Sequence, residues 1–178
     1  VAGYGSHSYS ARGRLFAKVQ PTEQPYGFPR RNAFRQPVLE RQLQEALARF
    51  PHVTAAFRHE FVSFTQDESG VTLRIKHDRG ESEVRCDFLV ACDGASSGIR
   101  RALGIGMSGS TFRERWLIVD LENSPVSSPH TKVFSNPRRP CIALPGPHLT
   151  RRYEFLLHDD ERDEDMLASG TIDRLLRE

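Results

Sequence analysis

The chain has 178 residues, a length that fits one domain or parts of two and suffices to bury a sizeable core. Its 25 lysine and arginine residues nearly balance its 23 aspartate and glutamate residues, and the net charge of +2 gives no electrostatic indication of nucleic-acid binding. No apolar run approaches the ~18–20 residues of a membrane helix. We therefore expect a soluble protein with neither nucleic acid nor a membrane as partner.

The first predicted elements are a short strand, a loop and a helix. Residues 12–20 favour a strand, and a loop rich in proline and aromatic residues follows. Pro37 suits the first position of a helix, where its missing N–H costs no hydrogen bond, and Pro51 ends the pattern. The helix carries one apolar stripe that we expect to pack against another element: Val38, Leu39, Leu43, Ala46, Leu47 and Phe50.

Three strand-like segments follow, at residues 53–64, 71–77 and 83–92. Short polar turns separate them, which predicts an antiparallel meander. Residues 88–92 are continuously apolar, as in a strand that is covered on both faces. A short helix is predicted over residues 97–103.

The rest of the chain predicts a second sheet and a final helix. The acidic segment 158–165 is predicted to be a loop, and a helix with one apolar face begins near Ser169. A domain junction is expected near residues 105–112. Proline and glycine separate four strand-like segments in this region, at residues 116–121, 131–134, 141–144 and 153–157.

The three cysteines, Cys86, Cys92 and Cys141, form neither a C-x-x-C pair nor a metal-ligand spacing with histidine. Cys86 and Cys92 lie six residues apart, which places them on the same face of the predicted strand. We expect buried, reduced thiols in a cytoplasmic protein, and no metal site.

Three motifs compete for the functional interpretation. The first, at residues 104–109, matches G-x-G-x-x-G, the fingerprint of a dinucleotide-binding loop. That loop needs a strand before the glycines and a helix after them, whereas here a helix is predicted before them and a strand after them. Because the order is inverted, these glycines are predicted to end a helix and link two regions.

The second motif, from Gly94 to Gly98, matches G-x-S-x-G, the nucleophile elbow of serine hydrolases. The predicted strand, turn and helix suit an elbow, and a triad of Ser96, Asp120 and His148 can be written. The antiparallel pattern before the motif argues against the parallel sheet of those enzymes, and no oxyanion segment lies upstream. A serine hydrolase is the alternative function, and a non-catalytic binding module is a further one.

The third motif lies in the same turn and depends on other residues: Asp93, Gly94, Ser97 and Arg100. A carboxylate at the end of a strand suits a ribose hydroxyl, the glycine permits close backbone approach, and Ser97 caps the helix. Free N–H groups at the start of the helix suit a phosphate. An ordinary Asp-Gly turn with a serine cap explains the same residues and stays open.

Residues 88–104 closely resemble the Asp-Gly segment of the class A FAD-dependent aromatic hydroxylases, the para-hydroxybenzoate hydroxylase-like monooxygenases. Other stretches agree in the expected order. Residues 32–40 resemble the start of a family helix, and residues 112–121, 144–148 and 151–155 are most similar to the 3-(3-hydroxyphenyl)propionate hydroxylase branch. The resemblance covers nearly the whole chain.

The resemblance implies an α+β (mixed α/β) fold in two parts. Residues 1–108 would be part of a Rossmann-like FAD-binding domain that includes the β-meander and the Asp-Gly segment, with residues 1–30 contributing to the other domain. Residues 109–178 would be part of a substrate-binding β-sheet domain.

The resemblance also implies the function of the full-length protein. NAD(P)H reduces FAD, and the reduced flavin activates O2 as a C4a-hydroperoxide that hydroxylates a phenolic, aromatic substrate. A homodimer is one option for the full-length form. Because the flavin carries the chemistry, no catalytic acid–base pair is expected among these residues.

Four residues are candidate cofactor contacts: Gln36, Asp93, Gly94 and Arg100. The resemblance implies the first three, and Arg100 lies one helical turn beyond the Asp-Gly turn. Arg152 matches an arginine that opens a substrate-domain strand, where it would face the flavin or a substrate carboxylate. A surface ion pair is the alternative role of Arg152.

Two parts of the family's cofactor site have no counterpart in the sequence: the Gly-rich loop that opens the family's chain, and a later Gly-Asp segment. The chain begins without methionine and ends in a helical pattern, and we expect an internal fragment of a longer enzyme. Tag removal and trimming are the other explanation of its ends. Residues 1–178 alone are expected to bind FAD weakly or not at all, and to be inactive.

Overall fold

The computed structural model describes residues 3–177, and the chain divides into two compact units. We call Val1–Glu45 with Phe112–Glu178 the sheet unit, and Ala46–Thr111 the meander unit. In chain order the elements of the described part are β1 (Ser6–Ser10), β2 (Leu15–Val19), α1 (Gln36–Ala46), β3 (Glu60–Asp67), β4 (Gly70–His77), β5 (Gly80–Cys86), α2 (Gly98–Ala102), β6 (Arg115–Leu121), β7 (Thr131–Ser135), β8 (Cys141–Pro145), β9 (Arg151–Leu157), α3 (Asp163–Met166) and α4 (Ser169–Arg177), with a 3₁₀ turn at Leu47–Arg49.

The sheet unit contains a six-stranded sheet in the order β2-β1-β7-β8-β9-β6. Neighbouring strands run antiparallel except for β1 and β7, which run parallel. The four strands predicted in the second half are confirmed, with their ends shifted by at most two residues. The strand predicted at residues 12–20 is confirmed as β2.

The core of the sheet unit lies between one face of the sheet and helices α3 and α4. Alternate residues of β6 and β9 face the helices, so that Leu117, Val119 and Phe155 form a buried cluster with Met166 and Leu175. The predicted apolar face of the last helix is therefore confirmed. The acidic segment 158–165 was predicted to be a loop, but its last three residues belong to the one-turn helix α3. This helix places Met166 in the buried cluster.

The meander unit is built on β3, β4 and β5, which pair as consecutive antiparallel hairpins. The predicted meander is confirmed, although β3 begins at Glu60 and β5 spans Gly80–Cys86. Residues 88–92 form no strand, and Phe88 and Val90 are 87% and 81% exposed. The prediction of a covered strand there is wrong, because a strand needs a hydrogen-bonded neighbour as well as apolar side chains.

Two other burial predictions are also wrong. Cys92 follows the end of β5 and is exposed, so it does not share a strand face with Cys86. The described side chains of α1 include no buried residue, so its apolar stripe lacks the packing partner that was expected. Apolar periodicity marks the face that a helix can bury, and burial itself requires a second element. Cys141 is half-buried, and this burial, with Glu154 nearby, raises the pKa of its thiol to about 11.

No helix within residues 3–177 combines the length and apolarity needed to cross a membrane. Over the same residues, no group of three or more His, Cys, Asp or Glu side chains is arranged to hold a metal ion.

Candidate functional site

The sheet unit contains a cavity of about 560 Å³ beside the start of α1 and the adjacent ends of β6 and β9. This volume lies within the range of roughly 300–1,000 Å³ that small-molecule sites occupy. Two of the predicted site residues, Gln36 and Arg152, line it. Its charged and polar lining includes Arg35, Gln36, Asp120, Glu122, Arg151 and Arg152.

Arg152 is held by an ion pair across two strands. Asp120 on β6 lies directly opposite Arg152 on β9, and its two carboxylate oxygens accept hydrogen bonds from Nε and Nη2 of the arginine, both at 2.8 Å. This bidentate pairing lowers the pKa of the Asp120 carboxyl and raises that of the Arg152 guanidinium. The ion pair proposed as an alternative role for Arg152 therefore exists, and it lines the cavity.

A second ion pair lines the same cavity. Nη2 of Arg35, just before α1, lies 3.1 Å from Oε1 of Glu122, just after β6. Gln36 opens α1, and its amide donates to Glu40 one helical turn later at 2.7 Å. Two of the cations that line the cavity, Arg35 and Arg152, are thus paired with carboxylates, and the cavity presents polar edges without a large net charge.

Arg151 has a different environment from Arg152 because successive residues of a strand face opposite sides of the sheet. It is 3% exposed, and its Nη2 donates to the carbonyl groups of Val126 and Ser128. Its Nε and Nη1 are buried and have no acceptor within residues 3–177. Arg151 therefore fastens the β6–β7 connection to the sheet.

The other predicted site residues lie in the meander unit, at the start of α2. The Asp93 carboxylate accepts a hydrogen bond from the backbone N–H of Ile99 at 3.3 Å. A hydrogen bond from the Ser97 hydroxyl and the one from Ile99 together lower the pKa of the Asp93 carboxyl below its ordinary value. Ser97 in turn accepts the N–H of Arg100 at 2.9 Å, which confirms the predicted serine cap. Gly94 has a φ of +76°, and a Cβ added there would meet no atom within 4 Å.

These caps change one expectation about α2. The N–H groups of Ile99 and Arg100 were predicted to be free for a phosphate, but Asp93 and Ser97 already accept them. With α2 spanning only Gly98–Ala102, its N-terminus offers no phosphate site of the predicted kind. The Arg100 side chain donates from Nη1 to the Ala95 carbonyl at 2.6 Å, while its buried Nε has no acceptor in the described part of the chain.

The helices and strands around the first two motifs argue against the functions that those motifs indicate. Helix α2 precedes the glycines at 104–109 and β6 follows them, so the inverted order that argues against a dinucleotide loop is confirmed. The G-x-S-x-G motif lacks the strand that a nucleophile elbow requires, because the described residues between β5 and α2 contain none. Asp120, the acid of the hypothetical triad, is paired with Arg152.

Sequence reasoning overlooked Asp120 as a partner of Arg152. The signal that could have found it is cross-strand charge pairing: an acid near the end of one strand and a base near the start of an antiparallel neighbour face each other when the register aligns them. That register was not predictable, because β6 and β9 are separated by two other strands along the chain.

Comparison with known proteins gives this site its context. A family model described as "FAD binding domain" matches residues 7–175. The chain belongs to the FAD-binding domain family. This member is 39% identical over 166 residues to the 3-(3-hydroxy-phenyl)propionate/3-hydroxycinnamic acid hydroxylase of Escherichia coli (strain SMS-3-5 / SECEC). That match covers 93% of the chain and 30% of the relative, so the chain spans less than a third of the relative's length.

Solved structures related to this FAD-binding domain share its fold. p-Nitrophenol 4-monooxygenase from Pseudomonas putida DLL-E4 gives a TM-score of 0.78 at 18% identity, covering 99% of this chain and 44% of its own. Aklavinone-11 hydroxylase, solved with FAD and aklavinone, gives a TM-score of 0.74 at 25% identity, covering 97% and 36% of the two chains. The predicted mixed α/β fold and the resemblance to FAD-dependent aromatic hydroxylases are confirmed.

The described residues fit the cofactor that the family name implies. FAD offers hydroxyl groups, phosphates and ring carbonyls, which call for a carboxylate acceptor and cationic or amide donors. The open space at Gly94 lets a ligand approach the backbone beside Asp93, and the buried Nε of Arg100 lacks an acceptor. In the sheet unit, Gln36 and Arg152 line a cavity of suitable size.

Proposed function

We propose that the protein acts as an FAD-dependent monooxygenase that hydroxylates a phenolic ring with NAD(P)H and O2 as co-substrates. The observation that carries this proposal is the match of the FAD-binding domain over residues 7–175, joined to 39% identity with an aromatic hydroxylase over 93% of the chain. When bound, FAD supplies the redox chemistry of this reaction. The chain's own residues bind, orient and shield the reactants. The full-length form is proposed to be a homodimer.

In the meander unit, the proposed cofactor contacts are Asp93, Gly94 and Arg100. The capping bonds to Asp93 fix its carboxylate and keep it ionised, so that it can accept a hydrogen bond from a cofactor hydroxyl. The absence of a side chain at Gly94 leaves the backbone open to a ligand. Arg100, anchored at the Ala95 carbonyl, supplies a positive charge near the same turn.

In the sheet unit, the proposed contacts are Gln36 for the cofactor and Arg152 for the cofactor or the substrate. Both line the cavity at the start of α1, and Arg152 retains guanidinium N–H groups that Asp120 does not use. The E. coli relative is named for two aromatic acids, each a phenol with a carboxylate side chain. We propose a phenolic carboxylic acid as the substrate class, with the carboxylate directed to an arginine of this cavity.

The test compares the 178-residue chain with the complete protein, by which we mean the product of the full reading frame around residues 1–178. We expect the complete protein to carry bound flavin, to oxidise NAD(P)H faster when a phenolic acid is added, and to place one atom of labelled O2 in the product. The 178-residue chain should retain little or no flavin. A complete protein without flavin, or a product without label, would contradict the proposal.

Residue assignments are tested in the complete protein with a matched pair of variants. Asp93→Ala should lower flavin content several-fold, because it removes the carboxylate beside Gly94 together with a cap of α2. Asp78→Ala, which removes a carboxylate from an exposed ion pair with Arg58 in the same unit, should leave flavin content unchanged. Equal flavin content in the two variants would remove Asp93 from the proposed site.

A further inference from the structure

The ion pair between Asp120 and Arg152 uses only part of the arginine. A guanidinium has five N–H donors in a fixed plane, and Asp120 takes one from Nε and one from Nη2. No residue within 3–177 accepts from Nη1 or from the second hydrogen of Nη2. The Nη1–Nη2 edge is therefore an intact two-pronged donor on a residue that lines the cavity.

Asp120 determines which edge remains available. An arginine side chain has several freely rotating bonds, and an unpaired one would sample many orientations at a large cost in entropy when it binds a ligand. Two hydrogen bonds of 2.8 Å to one carboxylate fix the guanidinium plane before any ligand arrives. The pair stays charged because its pairing lowers the pKa of Asp120 and raises that of Arg152.

We propose that Asp120 is a positioning residue: by holding Nε and Nη2 of Arg152, it presents the Nη1–Nη2 edge as a bidentate receptor for the carboxylate of an aromatic substrate. The inference rests on the proposed function and deepens it by assigning how the substrate's anion is recognised. A phosphate or a ring carbonyl of the cofactor could accept hydrogen bonds from the same two N–H groups. The experiment below therefore distinguishes binding of the cofactor from binding of the substrate carboxylate. Carboxylate geometry matches the planar fork best.

The same cavity provides a charge-matched control. Glu122 pairs with Arg35 through a single oxygen at 3.1 Å, and Glu122 also lines the cavity. Asp120→Asn and Glu122→Gln each remove one negative charge from the lining. If Asp120 mattered only through its charge, both variants would strengthen the binding of anions. If Asp120 positions Arg152, only Asp120→Asn should weaken anion binding, because only this variant removes a hydrogen-bond acceptor that holds the Arg152 guanidinium in place.

The experiment measures, by calorimetry in 0.2 M salt, the affinity of the complete protein for 3-phenylpropionate and for its neutral analogue 3-phenylpropanamide. We expect Arg152→Lys to weaken carboxylate binding about tenfold while leaving amide binding within twofold, because lysine keeps the charge and loses the fork. Asp120→Asn should bind the carboxylate at least fivefold more weakly than Glu122→Gln does. In the Arg152→Lys background, Asp120→Asn should have no further effect.

Equal or tighter carboxylate binding by Asp120→Asn relative to Glu122→Gln would overturn the proposal, as would additive effects in the double variant. A parallel titration of the flavin-free protein with FAD separates the two sources of the anion. If these variants weaken FAD binding and leave the carboxylate-to-amide ratio unchanged, the receptor serves the cofactor and the proposal is wrong. Circular dichroism of each variant identifies loss of folding. If Asp120→Asn fails to fold, Asp120→Glu takes its place, because it keeps the negative charge and changes the geometry of the pair with Arg152. Carboxylate binding by Asp120→Glu as tight as that of the wild type would then overturn the proposal.

The outcomes distinguish this inference from the proposed function. Labelled hydroxylated product together with no preference for the carboxylate would reject the receptor and leave the monooxygenase intact. Selective carboxylate binding by a protein that holds no flavin would reject the monooxygenase.

Discussion

The two units of this chain differ in how they use their apolar residues. In the sheet unit, Phe155 is 4% exposed and packs with Leu117, Met166 and Leu175 between the sheet and two helices. In the meander unit, Ile99 is the one buried apolar side chain among the described residues, whereas Phe88 and Val90 are largely exposed. The sheet unit thus has a core of its own, and the meander unit has a well-paired sheet with little core. Hydrogen-bonded strands alone give a defined shape, but burial supplies most of the stability.

The largest expected difference between the units comes from the same substitution at a buried and at an exposed phenylalanine. In the 178-residue protein, Phe155→Ala should lower the free energy of unfolding by about 3–5 kcal/mol, because it leaves a cavity in the core of the sheet unit. Phe88→Ala, at a position that is 87% exposed, should change it by less than about 0.5 kcal/mol. Urea denaturation followed by circular dichroism measures both, and similar losses would contradict the contrast between the units.

An intermediate effect is expected from ion pairs of unequal burial. Arg139 and Glu161 in the sheet unit have side chains only 16% and 18% exposed, and the hydrogen bonds from Arg139 lower the pKa of Glu161 to about 2. Glu161→Gln should therefore cost about 2 kcal/mol of stability at neutral pH. The exposed pair of Arg58 and Asp78 in the meander unit is the control, and Asp78→Asn should have no measurable effect.

The pH dependence of this loss has a definite sign. The pKa of Glu161 is lowered in the folded state from an ordinary value of 4.5, so its contribution is complete above about pH 4.5 and disappears as the pH falls toward 2. Wild type and Glu161→Gln should therefore differ most at neutral pH and converge near pH 2. Denaturation curves at several pH values test this, and a difference that stays constant with pH would rule out the assigned pKa.

The smallest effect concerns the cap of α2 in the meander unit. Ser97→Ala removes the hydroxyl that accepts the N–H of Arg100 and should cost about 1 kcal/mol, visible as faster amide exchange in α2. Ser96→Ala, at the exposed neighbouring residue, is the matched control and should leave exchange unchanged. If both variants exchange at the wild-type rate, the helix does not depend on this cap.

Local signals were sufficient for much of the fold. The strand-like segment at residues 71–77 predicted β4, short polar turns predicted the meander, and Ser97 predicted the start of α2. These features depend on residues only a few positions away in the chain, so a local sequence pattern is enough to predict them. For the same reason the inverted order around residues 104–109 could be recognised without a structure.

Other features depended on distant partners and were missed or predicted wrongly. β1, with the sequence Ser-His-Ser-Tyr-Ser, has no apolar alternation, and its hydrogen bonds to β2 and β7 hold it in the sheet. Residues 88–92 have the composition of a buried strand and no strand partner in the described part of the chain. The phosphate role expected for α2 failed because the side chains of Asp93 and Ser97 already use the N–H groups.

The amino-acid sequence by itself determined the composition class, most element positions, the Asp-Gly turn and the resemblance to the flavin hydroxylases. Only the tertiary structure decided that Asp120 faces Arg152, because their contact depends on the pairing register of two strands that are 32 residues apart at these positions. It likewise decided which apolar segments are buried. Both decisions are set by long-range pairing and packing, whose partners cannot be read from a local pattern.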